Sequence, residues 1–338
     1  MAVTMLDVAN KAGVSKSTVS RVLNGKNIVR PELVSRVFEA IKDTGYRPNI
    51  LAQSLSSRQT NFIGFVIANV LFDGPYFSSL MYHAASFCED SGHQLVMTDG
   101  KHSKVEERHA INFLLDMRCT GIIIYPKYLN DKELASIISN ADIPIMVINH
   151  DIEELPQYAI TTDHYQSAVK MMEYIVGQGH KHIAIIRGNV CSGTDKQRYQ
   201  AYRDVLAKYH LPYQCEREQQ GNWTLEGGYL AAQRMLETSV QVTAVLACND
   251  DMAIGASKAF KKAGLNLPED ISITGFDNSN VGEYLSPSLT SVHIPLKEMT
   301  QKAILNILGE HKKAAAIDTS ASIIIRDSVH PMLPPMTT

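Results

Sequence analysis

Apolar residues in the first sixty positions recur every three to four residues, which predicts three short helices. The first starts at Thr4, with Leu6, Val8 and Ala9 on its apolar side and Asp7 at capping-box spacing from Thr4. The second runs from Lys16 to Asn24, with Ser15 as its cap, Val19, Val22 and Leu23 facing inward and Gly25 as its stop. The third opens at Pro31, a favoured first-turn position, carries Leu33, Val34, Val37, Phe38 and Ile41, and ends at Gly45. Arg30 offers its start no side-chain oxygen, which weakens that end by about 1 kcal/mol against a serine cap. The break at Ala12-Gly13-Val14 makes the first pair a helix-turn-helix pattern, whose second helix can enter the DNA major groove.

A polar segment follows, Tyr46 to Thr60, with a short helical pattern after Pro48-Asn49. It is too short to form a stable helix alone and reads either as a flexible linker or as a segment that folds against DNA or a partner chain. From Asn61 the period changes. Apolar runs at Phe62–Ala68, Gln94–Thr98, Gly121–Tyr125, Ile145–Ile148, His182–Ile186, Ala244–Ala247 and Ile271–Gly275 read as strands. Helical stretches lie between them, among them Glu106–Met117, Gln166–Val176, Gln197–Tyr209, Gly227–Leu236 and Met252–Ala263. Continuous apolar strands alternating with helices predict parallel sheets covered on both faces. Seven such strands exceed one comfortable core, so two α/β lobes are expected, with ligands at the carboxyl ends of the strands.

Charge divides the chain at the same place. Residues 1–60 hold nine Lys/Arg and four Asp/Glu, a net of +5; the other 278 hold 23 and 31, a net of −8. A basic module on an acidic body points to a polyanion for the module alone, although for the charge count by itself a solvated charged face is the more ordinary reading. Five scattered cysteines (88, 119, 191, 215, 248) imply neither a disulfide framework nor a zinc site, and suit a cytosolic protein. The N-terminal segment lacks an apolar secretory core, and no apolar run is long enough to span a bilayer. There is no GxSxG, GxxxxGK[ST], HExxH or strand-linked GxGxxG, so no enzyme, metal or cofactor is expected.

Polar groups gather just after the predicted strands: Asn69 with Tyr76-Phe77, Asn149, Arg198, Asn249-Asp250 and Asp277. Taken singly they read as caps or loop residues. Taken together with an aromatic such as Trp223 or Phe77 to cover an apolar ring face, they form what a neutral polyol pocket needs.

At these motifs the chain resembles the LacI/GalR family of bacterial transcription regulators over essentially its whole length. The resemblance rests on the run Val14 to Asn24, Gly45-Tyr46-Arg47-Pro48-Asn49, Asn249 to Ala256 and Gly275-Phe276-Asp277. Asp99 to His102 and Ile124 to Lys127 resemble its β-glucoside-responsive branch, with galactose-responsive members as near neighbours. The resemblance implies an all-α headpiece (1–46), a hinge (47–60) and a two-lobed periplasmic-binding-protein-like domain for effector binding and dimerisation (61–338). The N-lobe would be 61–162 with 295–323, and the C-lobe 163–294 with 324–332. It places Lys16 and Ser17 at base edges, and Thr18, Ser20, Arg21 and Asn24 at phosphates and neighbouring bases, with Thr4 and Ser15 among the DNA-binding set. Asn49 and Ala52 match the hinge, and Leu55 the leucine wedged into a minor-groove step. Arg198, Asn249 and Asp277 match the strongest sugar contacts, Asn149 and Trp223 further ones, and Asn69, Phe77 and Asp163 the pocket edge. Ala201, Asn278 and Ile294 depart from common family residues, which bears on the ligand rather than the fold. The implied partners are operator DNA, a small sugar and a second copy of the chain; the sugar acts as inducer, or, with opposite sign, as corepressor. Two other classes share features: a transporter's sugar receptor, which has no use for residues 1–60, and a sugar-processing enzyme, for which no catalytic constellation is visible.

Overall fold

The computed structural model describes residues 3–23, 29–46, 60–69 and 74–332. Asn24, Gly25, Asn49, Ala52, Leu55 and nearly all of the expected hinge lie outside the described residues. The chain divides into two compact units, Met1–Asn61 and Phe62–Thr338.

In the first unit, α1 (Met5–Ala12), α2 (Lys16–Leu23) and α3 (Pro31–Thr44) surround a small core of Val8, Ala9, Ala12, Val19, Val22, Val37 and Ala40. The Asp7 carboxylate accepts from the Thr4 N–H at 2.8 Å and its hydroxyl at 2.7 Å, which holds the Asp7 carboxyl below its usual range. Ser15 Oγ accepts from the Thr18 N–H at 3.1 Å and so caps α2. The turn requires Gly13: its φ is +64°, and a Cβ there would sit 2.7 Å from Arg36 Nη2. That guanidinium donates to the Ala12 carbonyl at 2.6 Å, tying α3 to the end of α1. Two expectations fail. Leu6 and Phe38 are exposed, at 55 % and 53 %. Val8, Ala9 and Ala12 define the inward arc of α1, and Val37 and Ala40 that of α3; at about 100° per residue Leu6 and Phe38 fall outside these arcs.

The second unit holds two sheets. The first orders β1 (Phe62–Ile67), β2 (Gln94–Asp99), β3 (Gly121–Tyr125), β4 (Ile145–Ile148) and β5 (Ala159–Ile160) as β2-β1-β3-β4-β5, all parallel. The second contains β6 (Ile183–Arg187), β7 (Glu218–Gln220), β8 (Ala244–Ala247), β9 (Ser272–Phe276), β10 (Thr290–His293) and β11 (Ser322–Ile324), in the order β11-β10-β9-β8-β6-β7. Only β11 runs antiparallel to its neighbour. Around the first sheet lie α4 (Pro75–Asp90), α5 (Lys104–Asp116) and α6 (Asp131–Asn140). Around the second lie α7 (His164–Gly177), α8 (Gly193–Lys208), α9 (Leu225–Glu237), α10 (Asp250–Lys262) and the short α11 (Asn280–Glu283).

All seven expected strands form, within one or two residues of their expected ends. Four more escaped the pattern. β5 has two residues, β7 is polar, and β11 is a short edge strand. β10 reads Thr-Ser-Val-His, yet Thr290 and Ser291 are fully buried. Their polarity is satisfied internally: the Ser328 hydroxyl accepts from Thr290 N at 2.9 Å, and Ser291 Oγ donates to Asp250 Oδ1 at 2.6 Å.

The chain crosses between the lobes three times. After β10 it re-enters the first lobe as α12 (Leu296–Ile307), packed on α4 and on β3 and β4. After α13 (His311–Ala315) it returns to the second sheet as β11. Thr319 Oγ1 donates to the Thr161 carbonyl at 3.1 Å, so the first and third crossings touch. The third is complete by Ser322, which pairs with His293, two residues ahead of the expected division. Glu107 fixes the loop after β3. Fully buried, its carboxylate accepts from the N–H groups of Lys127, Tyr128 and Leu129 at 2.8 to 2.9 Å.

Candidate DNA-reading face and ligand cleft

Val19 and Val22 turn inward on α2, three residues apart, so Lys16, Ser17 and Arg21 are exposed on the other side and Thr18 and Ser20 are half-buried beside them. Ser15 Oγ lies 2.7 Å from Ser17 Oγ and 2.8 Å from Thr18 Oγ1, a hydroxyl cluster at the helix start. Such a face offers flexible cationic donors and small hydroxyls on a short, rigid element, the chemistry that meets phosphates and base edges. Thr4, also exposed, spends its hydroxyl proton on Asp7.

In the second unit the strand ends converge between the lobes. Asp195, fully buried, accepts from Gly188 N at 2.8 Å and pairs with Arg187 at 2.6 Å. This pins the first turn of α8 to the end of β6 and places Arg198 one turn further on. Arg198 is 3 % exposed; its guanidinium lies 4.0 Å from the Phe276 ring centre, 5.9 Å from that of Trp223, and donates to the Cys248 carbonyl. Its buried Nε has no hydrogen-bond partner among the described residues. Asn249 caps α10 by accepting from Met252 N at 2.9 Å while its amide donates to the Trp223 carbonyl at 3.0 Å. Trp223 lies directly on Gly188, where a Cβ would come within 2.0 Å of the indole.

A hydrogen-bonded chain leads from Arg198 into the first lobe. Arg198 Nη2 is 3.2 Å from His164 Nδ1, and His164 Nε2 is 2.6 Å from Asn149 Oδ1. Asn149 Nδ2 donates to the Tyr125 hydroxyl at 2.6 Å, which lies 3.2 Å from that of Tyr76 in an edge-to-face pair. Burial, with Arg198 adding to it, drives the His164 imidazole well below its ordinary pKa, so it is neutral. Burial likewise raises both tyrosine hydroxyls.

Three of the gathered residues have left-handed backbones: Asn149 at φ +60°, Trp223 at +69° and Asp277 at +100°. Such positions cost on the order of 1–3 kcal/mol each and persist where surrounding structure holds them, which is typical of ligand sites. Asp277, reachable from the cleft but crowded by protein, has its carboxyl pushed up to about 7 by burial, reinforced by Asp250 and Asp251 and opposed by Arg198. Asp250 is pushed up to about 6 by burial, against hydrogen bonds from Ser291 and Ser279. An open volume of about 490 Å³ lies between α4 and the second lobe, lined by Tyr76, Tyr82, His83, Asp250, Asp277 and His293 among others. Arg198, Asn149, Trp223 and Asn249 do not line it; Arg198 and Asn149 are joined through His164, and Asn249 is bonded to Trp223, so the hydrogen bonds rather than the open volume locate the polar centre.

The structure thus gathers Asn149, Arg198, Trp223, Asn249 and Asp277. Among the described residues, Asn69 and Asp163 bond elsewhere. Asn69 bonds to the end of β2, with its N–H 3.0 Å from Asp99 Oδ1 and its amide 3.4 Å from His102 Nε2. Phe77 is half-buried against the core. The Asp163 carboxylate is exposed and caps α7 on Gln166 N at 2.8 Å. Sequence reasoning missed Tyr125, His164 and Phe276 as members of the group. Tyr125 and Phe276 end strands β3 and β9, a usable signal, whereas His164 opens a helix in a pattern that reads as a loop residue.

Residues 4–49 match the bacterial regulatory proteins of the lacI family, and residues 172–329 a periplasmic binding protein-like domain. The chain is 42% identical over 301 residues to the HTH-type transcriptional regulator AscG of Escherichia coli (strain K12), across 89% of this chain and 90% of that protein. A sugar-binding transcriptional regulator of the LacI family from Escherichia coli, crystallised with phosphate, is similar at 36% identity and a TM-score of 0.72, covering 81% of this chain and 99% of that one. The Lac repressor dimer bound to operator and the anti-inducer ONPF is similar at 26% identity and a TM-score of 0.85, covering 98% of this chain and 100% of that one. These relatives are transcriptional regulators, not enzymes, and the chain belongs to the LacI family of transcriptional repressors, with a helix-turn-helix headpiece and a two-lobed α/β domain.

Proposed function

We propose that the protein represses a sugar-utilisation operon and releases it when a small sugar, a β-glucoside or galactose-like, enters the cleft. Two headpieces (1–46) of a homodimer each take one half-site of a pseudo-palindromic operator. Lys16 and Ser17 read base edges; Thr18, Ser20, Arg21 and Asn24 hold phosphates and neighbouring bases, with Thr4 and Ser15 at the helix starts. The hinge (47–60), through Asn49, Ala52 and Leu55, orders on DNA, and residues 61–338 bind effector and form the dimer. Arg198, Asn249, Asp277, Asn149 and Trp223 hold the sugar. It works in the bacterial cytosol, associated with the nucleoid.

The observation that carries this reading is the buried convergence of Arg198, Asn149, Asn249 and Asp277 beside Trp223. Directional donors and acceptors next to an indole face suit a polyhydroxylated ring. The sugar-binding relative and the operator-bound repressor dimer support the ligand class and the assembly. The test is a thermal-shift screen of mono- and disaccharides and β-glucosides, followed by operator binding with and without the best hit. The expected result is a rise in Tm with one sugar class and a 5- to 150-fold, or roughly 1–3 kcal/mol, loss of operator affinity. Operator affinity indifferent to a saturating, Tm-raising sugar overturns the reading.

A further inference from the structure

His164 has no assigned part in the reading above, yet it bridges the lobes. It opens α7 in the second lobe, is 4 % exposed, and touches Arg198 of α8 on one side and Asn149 at the end of β4 on the other. The two contacts settle its protons. A guanidinium only donates, so Nδ1 must accept from Arg198, and the single proton of a neutral imidazole then sits on Nε2. Nε2–H donates to Asn149 Oδ1. The Asn149 amide is thereby oriented: its carbonyl faces the imidazole and its NH2 faces Tyr125, which accepts at 2.6 Å. Among the described residues, the other contact of this amide nitrogen is a long one, 3.4 Å to Thr194 Oγ1.

We propose that His164 is a positioning residue that sets the specificity of the cleft, fixing the Asn149 amide so that this position presents a donor N–H to an acceptor oxygen of the ligand. The inference rests on the sugar-cleft reading for what the ligand is, but not for the orientation itself. An imidazole that bridges this way need not touch the ligand. It transmits the fixed donor direction of Arg198 across the lobe junction to a side chain that could otherwise flip with little cost. The charged group that reaches the imidazole is Arg198. Tyr125 and Tyr76 stand beyond Asn149 from the first lobe, and Asp163 on its own element is turned to Gln166 N.

The first experiment needs no ligand. Nitrogen-detected NMR of the full-length protein should show His164 neutral at pH 7, protonated at Nε2, and titrating below an ordinary histidine. Asn149→Asp should raise its titration above that of wild type, because a carboxylate favours the imidazolium. An Nδ1–H tautomer, or a wild-type imidazole titrating near pH ~6.5, overturns the proposal. The second uses cellobiose and salicin as probes in calorimetry. His164→Phe should weaken the probe that binds about tenfold or more. His164→Gln, whose amide can both accept from Arg198 and donate to Asn149, should restore most of that loss. Equal binding by wild type and His164→Phe overturns the proposal, as does a His164→Gln variant that folds with the wild-type Tm but binds no better than His164→Phe. If neither probe binds wild type, the β-glucoside reading is what fails, and the ring tautomer still decides the role of His164.

Discussion

The outer face of α2 and the cleft between the lobes are both built from polar side chains, but in opposite physical states. On α2, Lys16, Ser17 and Arg21 stand in solvent around a hydroxyl cluster. In the cleft, Arg198 and Asn249 are nearly fully buried, His164 is held neutral, Asp277 is pushed up to about 7, and three backbones are left-handed. A solvated face loses little on meeting a large, wet polyanion and draws its affinity from released counterions. A desolvated, mutually bonded set is oriented in advance and suits a small neutral molecule whose hydroxyls must fit fixed donors and acceptors. If the proposed roles hold, the two polar surfaces should answer to different variables, salt for one and ligand geometry for the other.

Salt is the strongest way to separate them. Operator affinity should fall by about 10³- to 10⁵-fold between 50 and 200 mM salt if six to ten phosphates are contacted, whereas sugar affinity measured by calorimetry should change little. A flat operator response would remove the distinction. Next, Arg198→Ala should cost sugar binding on the order of 100-fold or more, since it leaves the Cys248 carbonyl and His164 without their donor, and operator binding in filter assays should hold. Equal loss of both activities would mean that Arg198 serves folding rather than the cleft.

On the DNA side, exchanging Lys16 and Ser17 should alter base preference by about 1–3 kcal/mol at the contacted pairs, read by operator selection, with an unchanged far-ultraviolet spectrum. An unchanged preference would reject their reader role. In the cleft, Asp277→Asn sharpens the electrostatic half of the comparison. A carboxyl with a raised folded pKa takes up protons on folding, so its contribution is favourable at low pH and is lost as pH rises from about 4 through 7. The variant should therefore melt higher than wild type at pH 8, with the gap closing toward pH 4. A gap that widens on acidification would contradict the burial of that carboxyl. The smallest effect belongs to Gly13→Ala, which should destabilise the headpiece by about 1 kcal/mol through its left-handed φ and the crowding of Arg36, leaving the melting of the larger unit in place.

Much of this architecture follows from the sequence. Periodicity of 3.6 locates α2 because Val19 and Val22 must share one buried face, and the runs Gly121–Tyr125, Ile145–Ile148 and Ala244–Ala247 become strands with the same ends because nothing polar interrupts them. The strand-end rule also selects Asn149, Asn249 and Asp277. It fails for β10, whose polar Thr290 and Ser291 are buried only because Ser328 and Asp250, distant in sequence, satisfy them. Leu6 and Phe38 show the same limit on a helix: hydrophobicity names candidates for the core, but the angle around the axis decides which of them enter.

What the chain order alone determined is therefore local: which segments are helices and strands, where the basic headpiece ends, and which strand ends carry donors and acceptors. Only the tertiary structure decided who meets whom. Asp163 became a cap and its neighbour His164 a bridge, because hydrogen bonds between lobes depend on side-chain direction and distance across a gap that no spacing along the chain encodes.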